Sequence, residues 1–339
     1  MTTPRTPALE DVQARRPRTH LSLTRVGVTG VEKVVRIGAE DSAPQLFYAQ
    51  LECFVDLDPK QKGAHMSRFE ETVNEAIEHV VLNESFKAET LAAHIAQLVR
   101  DRQQSLRAEV HVTARYPEHK PTPISGVPTQ EIYTLHGSAV VSDSGTRRLV
   151  GVSAQGMTAC PCAQEMITAA SRERLLADGF TDDEIERVFE HVPVATHNQR
   201  GIGTLWIGCP ERCDREIHGS HLLRIVEESM SSEIFELMKR PDEHAVVERA
   251  HRRPRFVEDC VREQIRMALD EYAEFEPDTF IMARQENLET IHQHNVVAER
   301  SGLLGEMAAE AAGGEYATRH VTMREWLDGY PPPPTSVHT

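Results

Sequence analysis

Lysine is scarce in this chain: six lysines stand against 31 arginines. Cations of both kinds total 37 against 53 Asp and Glu, a formal net charge of −16. That balance argues against a nonspecific nucleic-acid surface, which needs cations to meet phosphates. Acid-rich, Lys-poor composition points to adaptation to high salt, where surface charges are screened. A high-GC coding bias favouring Arg is the competing explanation. Cysteine is sparse as well, six in 339 residues, too few for a disulfide framework. Metal binding or catalysis is then the default role for any special thiol. Long apolar runs are missing: none approaches the ~20 residues of a membrane span. With a polar, Arg/Pro-rich N-terminal stretch, no secretion signal is expected. A cytoplasmic protein with neither a membrane nor a nucleic-acid partner is expected. The 40% hydrophobic content suits a globular chain, long enough for one large core or two ordinary ones.

Along the chain, residues 1–19 read as a mobile arm. LSLTRVGVTGVEKVVRIG and PQLFYAQLECFVDLD alternate apolar and polar residues and predict two strands. After the turn-rich DPKQKGAHM, Phe69, Val73, Ile77 and Val80 recur at helical spacing, as do Leu91, Ile95, Leu98 and Val99. SLRAEVHVTARYP and QEIYTLHGSAVVSD return to strand patterning, and RRLVGVSAQGMTA adds a further strand. An acidic helical insert is expected over about Gln164 to Glu190, broken at Asp178-Gly179, its second part opening with Thr181 as N-cap and Glu184 three residues on. GIGTLWIGC predicts a strand. Leu222, Val226, Met230, Ile234 and Leu237 predict one helix, which must end near Pro241. Val257, Val261, Ile265, Ala268 and Tyr272 predict another, and TFIMARQEN a final strand. The second half thus repeats the plan of the first. The expected divisions are an arm (1–19), a first unit (20–142), a second unit carrying most site motifs (143–311) and a Pro-rich tail (312–339).

Chemistry gathers around GMTACPCAQ. Pro161 restricts the residue before it, so Cys160 is held extended and presented rather than packed. A thiolate there could ligate zinc or iron(II) or act as a nucleophile; a small buried hydrophobe is the bland alternative. A four-thiolate zinc site with Cys209 and Cys213 is a weaker option, since C-x-C spacing suits tetrahedral capture poorly. His197 lies in the polar loop THNQRG. Glu243 closes KRPDE, where a solvated charge is the ordinary reading. Glu289 and His292 are three apart and would share a face on a helix, with His294 close by. Glu258 starts a helix, where a carboxylate also gains from the dipole.

QKGAHMSRF, GMTACPCAQE, HNQRG, LMKRPDE, RFVED and ETIHQHN occur in this order, and together they resemble the prokaryotic GTP cyclohydrolase IB family. Its archaeal branch is the nearer match, sharing the ACPCAQ wording and a long insert before HNQR. The resemblance spans roughly Arg18 to Ala311. It implies an α+β tunnelling fold (T-fold): two strand-strand-helix-helix-strand-strand units per chain, whose antiparallel sheets join into barrels in a homo-oligomer, with active sites between subunits. It implies GTP as substrate. Opening of the guanine imidazole ring at C8, with loss of formate, would give 7,8-dihydroneopterin 2′,3′-cyclic phosphate or the triphosphate. Motif by motif, Cys160, His197, Glu243 and His292 fall on metal ligands, and Glu258 and Glu289 on acids assigned to proton transfer. His65 falls on a site-supporting position. Fe(2+) is the expected metal, with Mn(2+) or Zn(2+) as alternatives; such an ion can lower the pKa of bound water from about 15.7 towards ~7. Arg200, Lys239 and Arg240 stand beside site motifs as candidate triphosphate partners. A non-catalytic purine- or pterin-binding module with a structural metal is the reading from another class.

Overall fold

Alternating patterns in the first part of the chain become two long strands, β1 (Leu23–Ile37) and β2 (Gln45–Leu57), paired antiparallel with register shifts in β1. The computed structural model describes residues 11–37, 45–79, 87–212, 215–314 and 318–330. The helical spacings are met by α1 (Met66–His79) and α2 (Ala88–Gln103), except at Val80, which lies outside the described residues, and the following strands by β3 (Arg107–Pro121), β4 (Pro128–Ser142) and β5 (Gly145–Ala159). The insert is α3 (Pro161–Ala177) and α4 (Asp182–His191), and Thr181 caps α4 with Glu184 answering in a capping box. Then come β6 (Asn198–Cys209), α5 (Gly219–Ser229), β7 (Ser232–Glu233), α6 (Arg240–Arg252) and α7 (Val257–Glu271). β8 (Phe280–Leu288), β9 (Val296–Leu303), α8 (Leu304–Ala311) and α9 (Met323–Leu327) close the described chain. No helix among the described residues is long and apolar enough to cross a membrane.

Three expectations are corrected. The expected tunnelling fold, two units per chain with sheets joining into barrels in the oligomer, is replaced by one antiparallel sheet of nine strands among the described residues. Its order is β1-β2-β3-β4-β5-β6-β8-β9, with β7 paired to β5. The cause is local: Asp143 and Ser144 form a tight turn, so β4 and β5 are hydrogen-bonded neighbours and the strand order continues from one to the next. The single helix expected from Leu222 to Leu237 is instead α5, an extended segment and a loop. Ser232 and Glu233 pair with Met157 and Gly156 of β5, and that ladder takes the backbone out of helical geometry. Pro241 consequently starts α6 rather than ending a helix; a first-turn proline loses no hydrogen bond. TFIMARQEN is not the last strand, because β9 returns alongside β8.

Contacts divide the chain into two compact units, one ending at Ala114 with Gly137–Arg148 added, the other comprising Arg115–His136 and everything from Leu149. In the first, Phe69 and Val73 of α1 and Leu91, Ile95 and Val99 of α2 are fully buried, as are Leu51 and Cys53 of β2. In the second, Leu222, Ile225 and Val226 of α5 and Cys260 and Ala268 of α7 are buried, with Leu205 and Ile207 of β6 and Phe280 and Ile281 of β8. Each large apolar side chain so buried contributes about 1.5–3 kcal/mol. Residues Asp11 to Gln13 of the arm are tied down: Gln13 offers its carbonyl to the Lys62 and Gly63 N–H groups. The first ten residues of the arm and the PPPPTS end lie outside the described residues.

Candidate active site

Burial sorts the cysteines. Cys53 and Cys260 are in the cores, and burial pushes each thiol up to about 12. Both are inert packing groups. Cys209 is half-buried and Cys162 exposed. Cys213, offered above as a partner of Cys209, lies outside the described residues.

Cys160 sits where β5 ends. Pro161 has no N–H to continue a ladder and takes the first helical position of α3. Cys160 is its N-cap in extended geometry (φ −76°, ψ 118°), and its sulfur accepts the Ala163 N–H at 3.5 Å. The Cys160 N–H donates to the His197 carbonyl at 3.1 Å, and the Thr196 hydroxyl donates to the Cys160 carbonyl at 2.9 Å. Two candidates 37 positions apart are thus pinned side by side by backbone bonds. Gln164 secures the segment, its amide donating to the carbonyls of Val194 (2.7 Å) and His251 (2.6 Å). The Arg255 N–H donates to the Ala159 carbonyl at 3.0 Å, which brings the start of α7, with Glu258, to the same place.

These segments enclose a cavity of about 250 Å³ lined by Cys160, His197, Gln199, Glu258, Asn287, Glu289, His292 and His294, among others. His197 Nδ1–H donates to Gln199 Oε1 at 3.1 Å and lies 4.0 Å from Glu289 Oε2. With Nδ1 so engaged, Nε2 is left for a ligand. Gln199 Nε2 donates in turn to Glu289 Oε1 at 3.3 Å. The side chains of His197 and Glu289 are 16% and 7% exposed. By contrast Glu258, His292 and His294 are exposed, the two imidazoles stacked with centroids 5.2 Å apart. Glu289 and His292 share no helix face: they occupy the β8–β9 connection.

Of the expected ligands, Cys160, His197 and His292 line this cavity, together with the acids Glu258 and Glu289. Glu243 does not; it stands exposed in the first turn of α6. Its neighbour Asp242 is the buried member of KRPDE. Burial would raise that carboxyl. Hydrogen bonds from the Ser125 hydroxyl and from the Ser125, Lys239 and Ile124 N–H groups outweigh burial and hold it well below the usual carboxylate range. Thiol, imidazole and carboxylate are a donor set that suits iron(II) or zinc. Among the described residues no three His, Cys, Asp or Glu side chains form a closed metal-holding cluster. The fit therefore rests on donor chemistry around one cavity.

A second cavity of about 450 Å³ shares Gln199 and is lined by Glu131, Arg200, Phe235, Glu236 and Met238, among others. Arg200, exposed on β6, makes no ion pair among the described residues. Lys239 and Arg240 follow Met238 and are exposed. Glu131 is buried and accepts the Glu236 N–H at 2.9 Å. His65 belongs to the other unit, 3.3 Å from Asp11 Oδ2. Sequence reading missed Gln199, Gln164 and Asn287. All three sit in or beside the quoted motifs, but an amide carries no charge to single it out.

Among solved structures, the chain resembles uricase from Arthrobacter globiformis, with a TM-score of 0.50 at 7% identity, covering 89% of this chain and 97% of that one. A hyper-thermostable AgUricase mutant gives 0.50 at 8% identity over 84% and 92%. Both likenesses concern the fold alone. Sequence relatives are much nearer. The chain is 41% identical over 306 residues to a GTP cyclohydrolase MptA of Methanococcus aeolicus, covering 88% of this chain and 98% of the relative. It is 42% identical over 308 residues to that of Methanobrevibacter smithii, covering 89% and 98%. The family described as type I GTP cyclohydrolase folE2 matches residues 9–298, and with that span and these identities the chain belongs to the type I GTP cyclohydrolase family of enzymes.

Proposed function

We propose that this enzyme hydrolyses GTP at C8 of the guanine ring, releases that carbon as formate, and closes a sugar-derived hydroxyl onto the α-phosphorus with loss of diphosphate, yielding 7,8-dihydroneopterin 2′,3′-cyclic phosphate. The observation that carries the reading is the single cavity lined by a thiol, three imidazoles and two carboxylates in a chain of this family. Cys160, His197 and His292 would hold a divalent metal, iron(II) first and manganese or zinc next. When bound, the metal supplies an activated water and polarises the ring. Glu289, buried and fixed by Gln199, takes the proton from the attacking water. Glu258, at the open side, returns a proton to the ring nitrogen. The purine occupies the Cys160 cavity. The ribose points into the larger one, where Glu131 and Glu236 accept hydroxyl hydrogen bonds. Arg200, Lys239 and Arg240 meet the phosphates.

Purified anaerobically and given iron(II), the protein is expected to consume GTP and release formate stoichiometrically. Mass spectrometry then distinguishes the cyclic phosphate from the triphosphate, which is the alternative product. GTP left intact with iron, manganese and zinc alike overturns the proposal. Glu243, absent from its own chain's cavity, is assigned to a neighbouring copy's site in a homo-oligomer. Mixing inactive Cys160→Ser and Glu243→Gln chains should then restore part of the activity. A mixture as inactive as its components overturns that assignment.

A further inference from the structure

Behind Asn287, which lines the Cys160 cavity, runs a row of buried amides that the ligand chemistry above does not use. Gln264 of α7 and Gln285 of β8 are fully buried, and Asn287 is 2% exposed. Gln264 Nε2 donates to Gln285 Oε1 at 3.4 Å, and Gln285 Nε2 donates to Asn287 Oδ1 at 3.1 Å. The far end, Gln264 Oε1, meets no donor among the described residues. Every N–H₂ in the relay is therefore directed towards the cavity. Asn287 is its last member, lines the cavity, and has its oxygen occupied. Its Nδ2 has no acceptor among the described residues. A donor held in a fixed orientation at a cavity wall, with no protein acceptor, is placed to meet an acceptor on a ligand.

The opposite strand is cut to make room. In the β6–β8 register Gly201 faces Asn287, and Gly203 faces Gln285. A Cβ on Gly201 would lie 2.4 Å from Gln285 Nε2, and one on Gly203 would lie 3.0 Å from Gln285 Oε1. The two glycines of QRGIG keep the relay in place.

We infer that Asn287 is a specificity residue, donating from Nδ2 to the 6-oxygen of the purine and so selecting 6-oxopurine over 6-aminopurine nucleotides. This inference rests on the GTP reading above. Asn287 and Glu289 are two residues apart on β8 and its extension, hence on the same face. The 6-oxygen and C8 lie along one edge of a purine. A donor one pleat from Glu289 therefore meets the first while Glu289 faces the second. A 6-amino group would set donor against donor, leaving both unpaired.

The test is equilibrium dialysis of the metal-free protein against GTP and 2,6-diaminopurine riboside triphosphate, which differ in the substituent at position 6 and, with it, in the proton at N1; the Asn287 variants isolate the contact to position 6. Wild-type protein should prefer GTP by about 10²-fold or more. Asn287→Leu should bring the two affinities to within a few-fold. Gln285→Met, which releases the hold on Asn287, should lower the ratio without abolishing it, and it decides the matter if Asn287→Leu does not fold. A wild-type ratio near one, or a ratio unchanged in the variants, overturns the inference while leaving GTP binding intact. Wild-type protein that binds neither nucleotide overturns the GTP reading and this one with it.

Discussion

The two halves of the Cys160 cavity are built to different standards. Cys160, His197, Gln199, Asn287 and Glu289 sit at strand ends or just beyond them, tied by backbone bonds and amide contacts. Glu258, His292 and His294 come from a helix start and a hairpin connection, and all three are exposed. Groups on a rigid scaffold can hold the geometry that chemistry demands, whereas a loop admits substrate and adjusts. Under the proposed function the first half would fix most of the reacting geometry, while the second would lend His292 to the metal and Glu258 to proton return and leave the cavity open to substrate.

Substitutions can break that division. Cys160→Ser should show the largest effect. Serine is a good N-cap, so α3 and the fold persist, while turnover falls below detection, beyond the about 10⁴-fold expected from losing one acid–base group. Glu289→Gln, which preserves shape and one acceptor, should lower kcat by about 10²–10⁴-fold with little change in KM. His294→Ala should be the mildest, less than about tenfold in kcat/KM, equivalent to about 1.4 kcal/mol. Steady-state kinetics with circular dichroism on each variant checks the order. If His294→Ala proved as damaging as Glu289→Gln, the loop would carry as much of the chemistry as the strand ends.

Much of this was legible in the sequence where one physical signal dominated. Alternation located the strands, and the Thr181–Glu184 pair located the start of α4. It failed where two signals overlapped. Leu222, Val226, Met230, Ile234 and Leu237 keep helical spacing by coincidence across α5, β7 and a loop: Met230 follows the last residue of α5 and packs against Gly156 and Gly201, and Ile234 and Leu237 come after the β7 pairing. The single sheet was hidden for a different reason: β5 pairs with β6 and β6 with β8 across intervening helices, long-range choices that periodicity does not encode. At the site, ionisable residues announced themselves, and the amides did not. The glycines of GIG were the available clue, since glycines alternating in a strand mark a place where something bulky approaches from the partner strand.

The most direct test of Cys160 and His197 as metal ligands is anaerobic cobalt(II) titration followed by absorption spectroscopy. Cobalt bound to a thiolate gives an intense sulfur-to-metal charge-transfer band. Wild-type protein should develop that band and saturate at one cobalt per chain. His197→Ala should weaken binding while keeping the band at high cobalt, and Cys160→Ser should lose it. A wild-type protein without the band, or a Cys160→Ser protein that retains it, would contradict the placement of the metal at Cys160.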